Sequence, residues 1–193
     1  MKSVIRDTAK NVFVPLAVGG GIKTVDDVRN IFKAGADKVT VNTTALKRPE
    51  IIGEIAEEYG SQACVVAIDA KRRDNPTEGR ISVPTPQGES WFECSFYGGR
   101  EFSGVDAIAW AMEAERLGAG EILLTSMDRD GTYDGFDIPL TRAVSEAGPV
   151  PVVASAGAAN PAHVAEAFPV AGAEADLAAE FFQRRELHIQ EQK

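Results

Sequence analysis

A chain of 193 residues is long enough for one well-buried domain and too short for two large ones. With 44% hydrophobic and 25% charged residues it has the composition of a globular enzyme, and its net charge of −9 argues against tracking a nucleic-acid backbone, which needs clustered Lys and Arg. An anionic small molecule stays open as a ligand, because backbone amides at helix starts bind phosphate whatever the global charge.

Taken in chain order, residues 3–10 read as a helix leading into an apolar, strand-like run at 12–18. Thr24 caps a helix to about residue 32, with Asp26 and Asp27 in the first turn where the helix dipole favours negative charge. Residues 38–41 form a second strand, closed by Asn42-Thr43-Thr44. Those side chains either offer donors to a phosphate or sugar or simply end a strand. Pro49 suits a first helical position before a helix ending near 59–60, and 64–68 is the third strand. A longer gap follows. It holds extended runs at 80–83 and 91–96 around a Pro/Gly-rich turn, a β-hairpin inserted near 80–97. Then come a helix at 104–117, a strand at 121–124, a helix at 138–147, a strand at 150–154, a helix at 161–168, a weak strand at 175–178 and a weak helix at 184–192.

The alternation of short apolar runs and amphipathic stretches, with strand centres roughly every 25–30 residues, suits about six βα units feeding a parallel sheet covered on both faces. No run reaches membrane-spanning length and no charged-then-apolar leader opens the chain, so a cytoplasmic protein outside the membrane is expected. Cys64 and Cys94 fit neither a disulfide framework nor a metal-ligand spacing, and are read as a reduced core thiol and a loop or hairpin thiol. His163 and His188 have no partner at metal or triad spacing and are read as structural or surface residues. Neither a metal nor a cofactor is expected.

The segment from Val18 to Asp37 has an echo from Ala154 to Glu174: Gly21 aligns with Gly157, Val28 with Val164 and Phe32 with Phe168. After one inserted residue, Gly35-Ala36-Asp37 aligns with Gly172-Ala173-Glu174. Either two βα units share a pattern by chance, or the chain is a duplicated half-barrel. In each copy a Gly/Ala run follows a strand and opens a helix, so bare backbone amides can approach an anion. Two such cradles predict a substrate with a phosphate at each end, bound at the C-terminal face of a (β/α)8 barrel. Symmetry then calls for a partner of the third strand upstream of Met1, which makes the chain read as shortened.

Asp69 closes the third strand, where a carboxylate would reach the barrel mouth and exchange protons; the alternative is a loop-start pair with Lys71 or Arg72. Thr125 and Ser126 close the next strand, followed by Asp128, Asp130 and Gly131, a polar loop that is either a ligand site or plain turn chemistry.

The strings Leu16-Ala-Val-Gly-Gly-Gly-Ile22, Gly35-Ala-Asp-Lys-Val-Thr-Val-Asn-Thr43, Gly60-Ser-Gln-Ala-Cys-Val-Val-Ala-Ile-Asp-Ala-Lys-Arg72 and Gly118-Ala-Gly-Glu-Ile-Leu-Leu-Thr-Ser-Met-Asp-Arg-Asp-Gly-Thr132 resemble the cyclase subunits of imidazole glycerol phosphate synthase, of histidine biosynthesis. The resemblance covers essentially the whole chain. It implies a phosphate-binding (β/α)8 TIM barrel, here a single partial-barrel domain over 1–193 with the first two units missing. It implies a lyase that converts the bis-phosphorylated phosphoribulosyl-formimino carboxamide ribotide and ammonia into imidazole glycerol phosphate and an aminoimidazole carboxamide ribotide. A glutaminase subunit would supply the ammonia as the partner in a heterodimer.

By the same resemblance Asp69 is the general acid. Gly21, Asn42 and Thr43 form one phosphate site and Gly157 with its neighbours the other. Thr125, Asp130, Gly131 and Ser155 make further substrate contacts. Lys38 and Glu121 belong to the ammonia gate, and Asp37 and Gln62 to the glutaminase-facing surface. The family's general-base Asp and two further gate charges have no counterpart, so the chain alone is expected not to turn over. The second phosphate site departs from the family's Ser-Gly-Gly-Ala-Gly, reading Ser155-Ala-Gly-Ala-Ala159, and Glu180 stands where a serine is usual. A remnant that binds phosphate or docks on the glutaminase, and the sister ribotide isomerase, are the alternatives.

Overall fold

The computed structural model describes residues 2–179 and 182. In chain order these form α1 (Lys2–Ala9), β1 (Ala17–Gly19), α2 (Val25–Lys33), β2 (Lys38–Val41), α3 (Thr43–Lys47), α4 (Glu50–Tyr59), a 3₁₀ turn (Ser61–Ala63), β3 (Cys64–Arg73), β4 (Val83–Thr85), β5 (Gly88–Phe96), β6 (Glu101–Asp106), α5 (Ala107–Arg116), β7 (Glu121–Ser126), α6 (Ile138–Ala147), β8 (Val152–Ser155), α7 (Pro161–Ala171) and β9 (Ala175–Leu177). The helix expected at 184–192, His188 and Glu180 lie outside the described residues.

Alternating parallel strands and helices make this an α/β chain of the (β/α)8-barrel class. The described residues divide into two compact units. The first runs to Ala67 and includes Glu113–Glu121; the second comprises Ile68–Met112 and the described residues from Ile122 on. In the first unit β1, β2 and β3 are parallel neighbours, with Ala17 opposite Lys38 and Val39 opposite Cys64. In the second, β7, β8 and β9 are parallel neighbours, with Ile122 opposite Val152 and Val153 opposite Ala175. The far half of β3 pairs antiparallel with β5 (Ala70 opposite Cys94), and β5 in turn pairs with β4 and β6.

Outside the start of β3, where Cys64, Val65 and Val66 are all buried, the parallel strands do not show the two-sided cover expected from their apolar runs. Alternate residues of β2, β7 and β8 are buried and half-buried, as the pleat dictates when helices cover one face more fully than the other. In the first unit the covered face meets Val28 of α2 and Ile51, Ile52 and Ile55 of α4, all fully buried with Val39 and Val66. Each such side chain stabilises the fold by about 1.5–3 kcal/mol relative to its exposed state. In the second unit Phe136, Ala154, Val164, Ala167 and Ala173 form one buried cluster.

Among the boundaries that differ from the sequence reading, three have a clear local cause. The run at 12–18 is a strand only from Ala17, and Phe13 is 95% exposed; Pro15 interrupts it, lacking the N–H a ladder needs. The helix expected from 104 begins at Ala107, because β6 runs through Asp106 to pair with β5. The helix expected to stop at 168 passes through Pro169 and ends at Ala171, capped by Gly172 in the left-handed conformation.

The repeat in the sequence recurs as local geometry. Gly35 and Gly172 both have positive φ (111° and 70°), Ala36 and Ala173 are both buried, and the amides of Asp37 and Glu174 each donate to a neighbouring strand's start, Leu16 and Val152 respectively. Val28 and Val164 are both core residues, whereas Phe32 stacks on Tyr59 and Phe168 is exposed.

Candidate active site

Within the first unit the flagged residues fall at opposite ends of the strands. At the C-terminal end, β1 runs out into Gly20 (φ 92°) and Gly21 (φ 72°), a left-handed path that side-chain-bearing residues resist. Buried Ile22 then roots the loop, and the Thr44 hydroxyl donates to the Ile22 carbonyl. Thr24 caps α2 in a reciprocal box: its Oγ1 accepts the Asp27 amide, while Asp27 Oδ2 accepts from the Lys23 and Thr24 amides and the Thr24 hydroxyl, each at 3.0 Å. Those donors, the Lys23 amide first, hold the Asp27 carboxyl below its usual range. Asn42 and Thr43 lie at the end of β2, both half-buried, where α3 starts.

At the N-terminal end, Lys38 opens β2 and Glu121 opens β7, and Lys38 Nζ lies 2.5 Å from Glu121 Oε2 with both side chains mostly covered. Beside Lys38 in sequence, the Asp37 carboxylate accepts the Leu16 amide at 2.8 Å. Gln62, exposed on the 3₁₀ turn before β3, donates to the Tyr59 carbonyl at 3.0 Å.

In the second unit, Asp69 is half-buried on β3, on the face opposite fully buried Ile68 and Ala70. The Ser95 hydroxyl of β5 donates to its carbonyl at 3.2 Å. Lys71 pairs with Asp128 at 2.5 Å, and the Arg72 amide also donates to Asp128 at 2.7 Å. Asp128 thus fastens the loop after β7 to β3.

Thr125 stands opposite Ser155 in the β7–β8 register, so these two half-buried hydroxyls are neighbours on one face. Around Ser155 lies a cavity of about 140 Å³, lined also by Asp130, Gly131, Tyr133 and the Ala156–Ala158 turn, with the end of β9 completing the wall. Four flagged residues, Asp130, Gly131, Ser155 and Gly157, therefore share one concave surface. The Gly135 amide donates to the Gly157 carbonyl at 2.9 Å, and a Cβ on Gly157 would stand 2.2 Å from the Gly135 carbonyl oxygen, so only glycine fits. Ala156 takes φ 78°, the conformation a glycine would hold without strain. Asn160 caps α7 by accepting the His163 amide.

Sequence reasoning passed over three carboxylates that build this unit. Asp137 is 4% exposed; it caps α6 through the Leu140 amide and accepts the Ser126 hydroxyl at 2.9 Å. Asp106 accepts amides of Ile81, Ile108 and Ala109. Glu93 accepts Arg73 and the Gly104 amide. The Asp before a helix was a usable capping signal for Asp137 and Asp106; Glu93 gave none. Both cysteines are buried. Burial pushes the Cys64 thiol up to about 12, and burial with the nearby Asp106, Glu93 and Asp69 carboxylates raises Cys94 as well, so neither is a nucleophile at neutral pH. Among the described residues no group of three His, Cys, Asp or Glu side chains could hold a metal ion, and no helix is long and apolar enough to cross a membrane.

The chain matches the family model described as "Histidine biosynthesis protein" over residues 1–188. It is 55% identical over 193 residues to the imidazole glycerol phosphate synthase subunit HisF of Methanothermobacter thermautotrophicus, covering 98% of this chain and 70% of the relative. It is 52% identical to the subunit of the same name in Methanosphaera stadtmanae, over 100% of this chain and 72% of that one. The Methanococcus vannielii HisF subunit is also 52% identical, over 98% and 72%.

Proposed function

The chain belongs to the imidazole glycerol phosphate synthase cyclase family of histidine biosynthesis, and from that premise we propose which of its residues bind, protonate and feed the reaction. The substrate is the bis-phosphorylated phosphoribulosyl-formimino carboxamide ribotide. Ammonia adds to it, the bond to the carboxamide ribotide breaks, and ring closure onto the ketone with loss of water leaves imidazole glycerol phosphate. Asp69, on the half-buried face of β3, is the general acid that protonates the departing portion. The Gly19–Gly21 turn with Asn42 and Thr43 holds one phosphate through backbone amides and short polar side chains. The cavity of Asp130, Gly131, Ser155 and Gly157 holds the other, with Thr125 beside it.

Ammonia comes from a separate glutaminase subunit, which docks near Asp37 and Gln62 at the strand starts. It passes the Lys38–Glu121 pair, whose opposite charges stand where the first unit's strands begin. The observation that carries this reading is the convergence of Asp130, Gly131, Ser155 and Gly157 on one cavity in the compact unit that also contains Asp69.

The test is ammonium-dependent release of the aminoimidazole carboxamide ribotide by the chain with a glutaminase subunit present. Asp69→Asn is expected to lower kcat by about a hundredfold or more with little change in KM, the loss typical of a missing general acid. Turnover by that variant within about threefold of the parent would overturn the assignment.

A further inference from the structure

We propose that His163 is a positioning residue for the cavity, the buttress that holds the Ser155–Ala159 turn in its ligand-ready shape. This rests on the cavity's being a phosphate site, as argued above. Three observations place this residue. Its Nδ1 accepts the Ala159 amide at 3.2 Å. Its own amide donates to the Asn160 cap at 3.1 Å, which fixes where the ring leaves α7. The ring also stands beside Gly135, where a methyl group would just reach ordinary van der Waals contact, 3.5 Å from Cγ and Cδ2.

Gly135 in turn donates its amide to Gly157 at 2.9 Å. One imidazole is therefore hydrogen-bonded to the loop carrying Gly157 and Ala158 and stands beside the loop carrying Asp130 and Gly131. The need for such a brace is visible in the turn itself. Ala156 is held at φ 78°, a conformation that costs an L-residue free energy and persists only where surrounding contacts over-determine it. Downstream of Ala156 the turn is pinned at the Gly157 carbonyl, by Gly135, and at the Ala159 amide, by His163. Removing the Nδ1 acceptor leaves the Ala159 amide to find another partner, and the strained turn can then relax away from the shape that presents its amides to an anion.

His163→Leu removes the acceptor, His163→Gln keeps polarity but moves the acceptor beyond the Nδ1 position, and His163→Asn puts a carbonyl oxygen close to where Nδ1 sits. Inorganic phosphate is titrated into the whole chain while the Gly131 and Gly157 amide resonances are followed. The Leu and Gln variants are expected to bind about five- to tenfold more weakly, the range one hydrogen bond commands, and the Asn variant to recover to within about twofold of the parent. In turnover the same variants should raise KM and leave kcat unchanged. If His163→Leu does not fold, the Gln–Asn contrast decides. Parent-like phosphate affinity in the Gln variant overturns the role of His163 and leaves the cavity assignment standing. No response of the Gly131 and Gly157 resonances to phosphate in the parent overturns both.

Discussion

The Gly19–Gly21 turn after β1 and the Ser155–Ala159 turn after β8 share a sequence plan and a backbone path, yet glycine is required for different reasons in each. At Gly20 and Gly21 a Cβ would meet nothing within 4 Å; only the positive φ selects glycine. At Gly157 the positive φ of 94° is joined by a neighbouring backbone so close that any side chain collides with it. The first turn is open and is rooted by the Thr24–Asp27 box and by Thr44 on Ile22. The second is walled by another loop and contains an alanine in a glycine conformation. A shared motif thus records a shared backbone shape, and the tolerance of each position depends on what stands next to it.

The contrast can be broken by three substitutions, compared by urea midpoint at constant slope. Gly157→Ala has the largest expected effect, a loss of about 3 kcal/mol or more, since the new methyl group must push the Gly135 carbonyl aside and the residue must hold a left-handed φ. Gly21→Ala should cost only about 1 kcal/mol, the conformational part alone. Equal losses at the two sites would show that the close approach at Gly157 is not what distinguishes them. The smallest effect has the opposite sign. Ala156→Gly should stabilise by about 0.5 kcal/mol, strain relief being partly offset by the greater freedom of glycine in the unfolded chain, and destabilisation would contradict the strain at this position.

Much of this was legible in the sequence, because apolar runs and glycine positions are local signals. β2, β3, β7 and β8 were read from runs such as Val65-Val-Ala-Ile68, and the two turns from their glycines. Four flagged residues line one cavity for the same reason: Gly131 and Gly157 mark where backbone must turn sharply, and Asp130 and Ser155 adjoin them. What escaped depends on distant partners. Nothing near Glu93 announces Arg73 and Gly104, and nothing near Asp128 announces Lys71. β6 exists because β5 offers it a ladder, which the helix-like stretch after Gly104 does not reveal. The apolar run at 12–18 misled for a local reason, Pro15, whose effect on the ladder outweighs the hydrophobicity around it. His163 looked idle because its partners are main-chain amides and a glycine, which carry no sequence signal of ligand binding.

The seam between Gly135 and Gly157 is main chain against main chain, with hydrogen bonding in place of interlocking side chains. A boundary made that way is blind to lettering. Replacements such as alanine at 156 and 159 leave every peptide N–H in the chain, so the family pattern can drift at those positions while the inventory of anion donors stays constant. Drift can reach the ligand only by bending the peptide path, and two glycines meeting face to face are where the least bending is allowed.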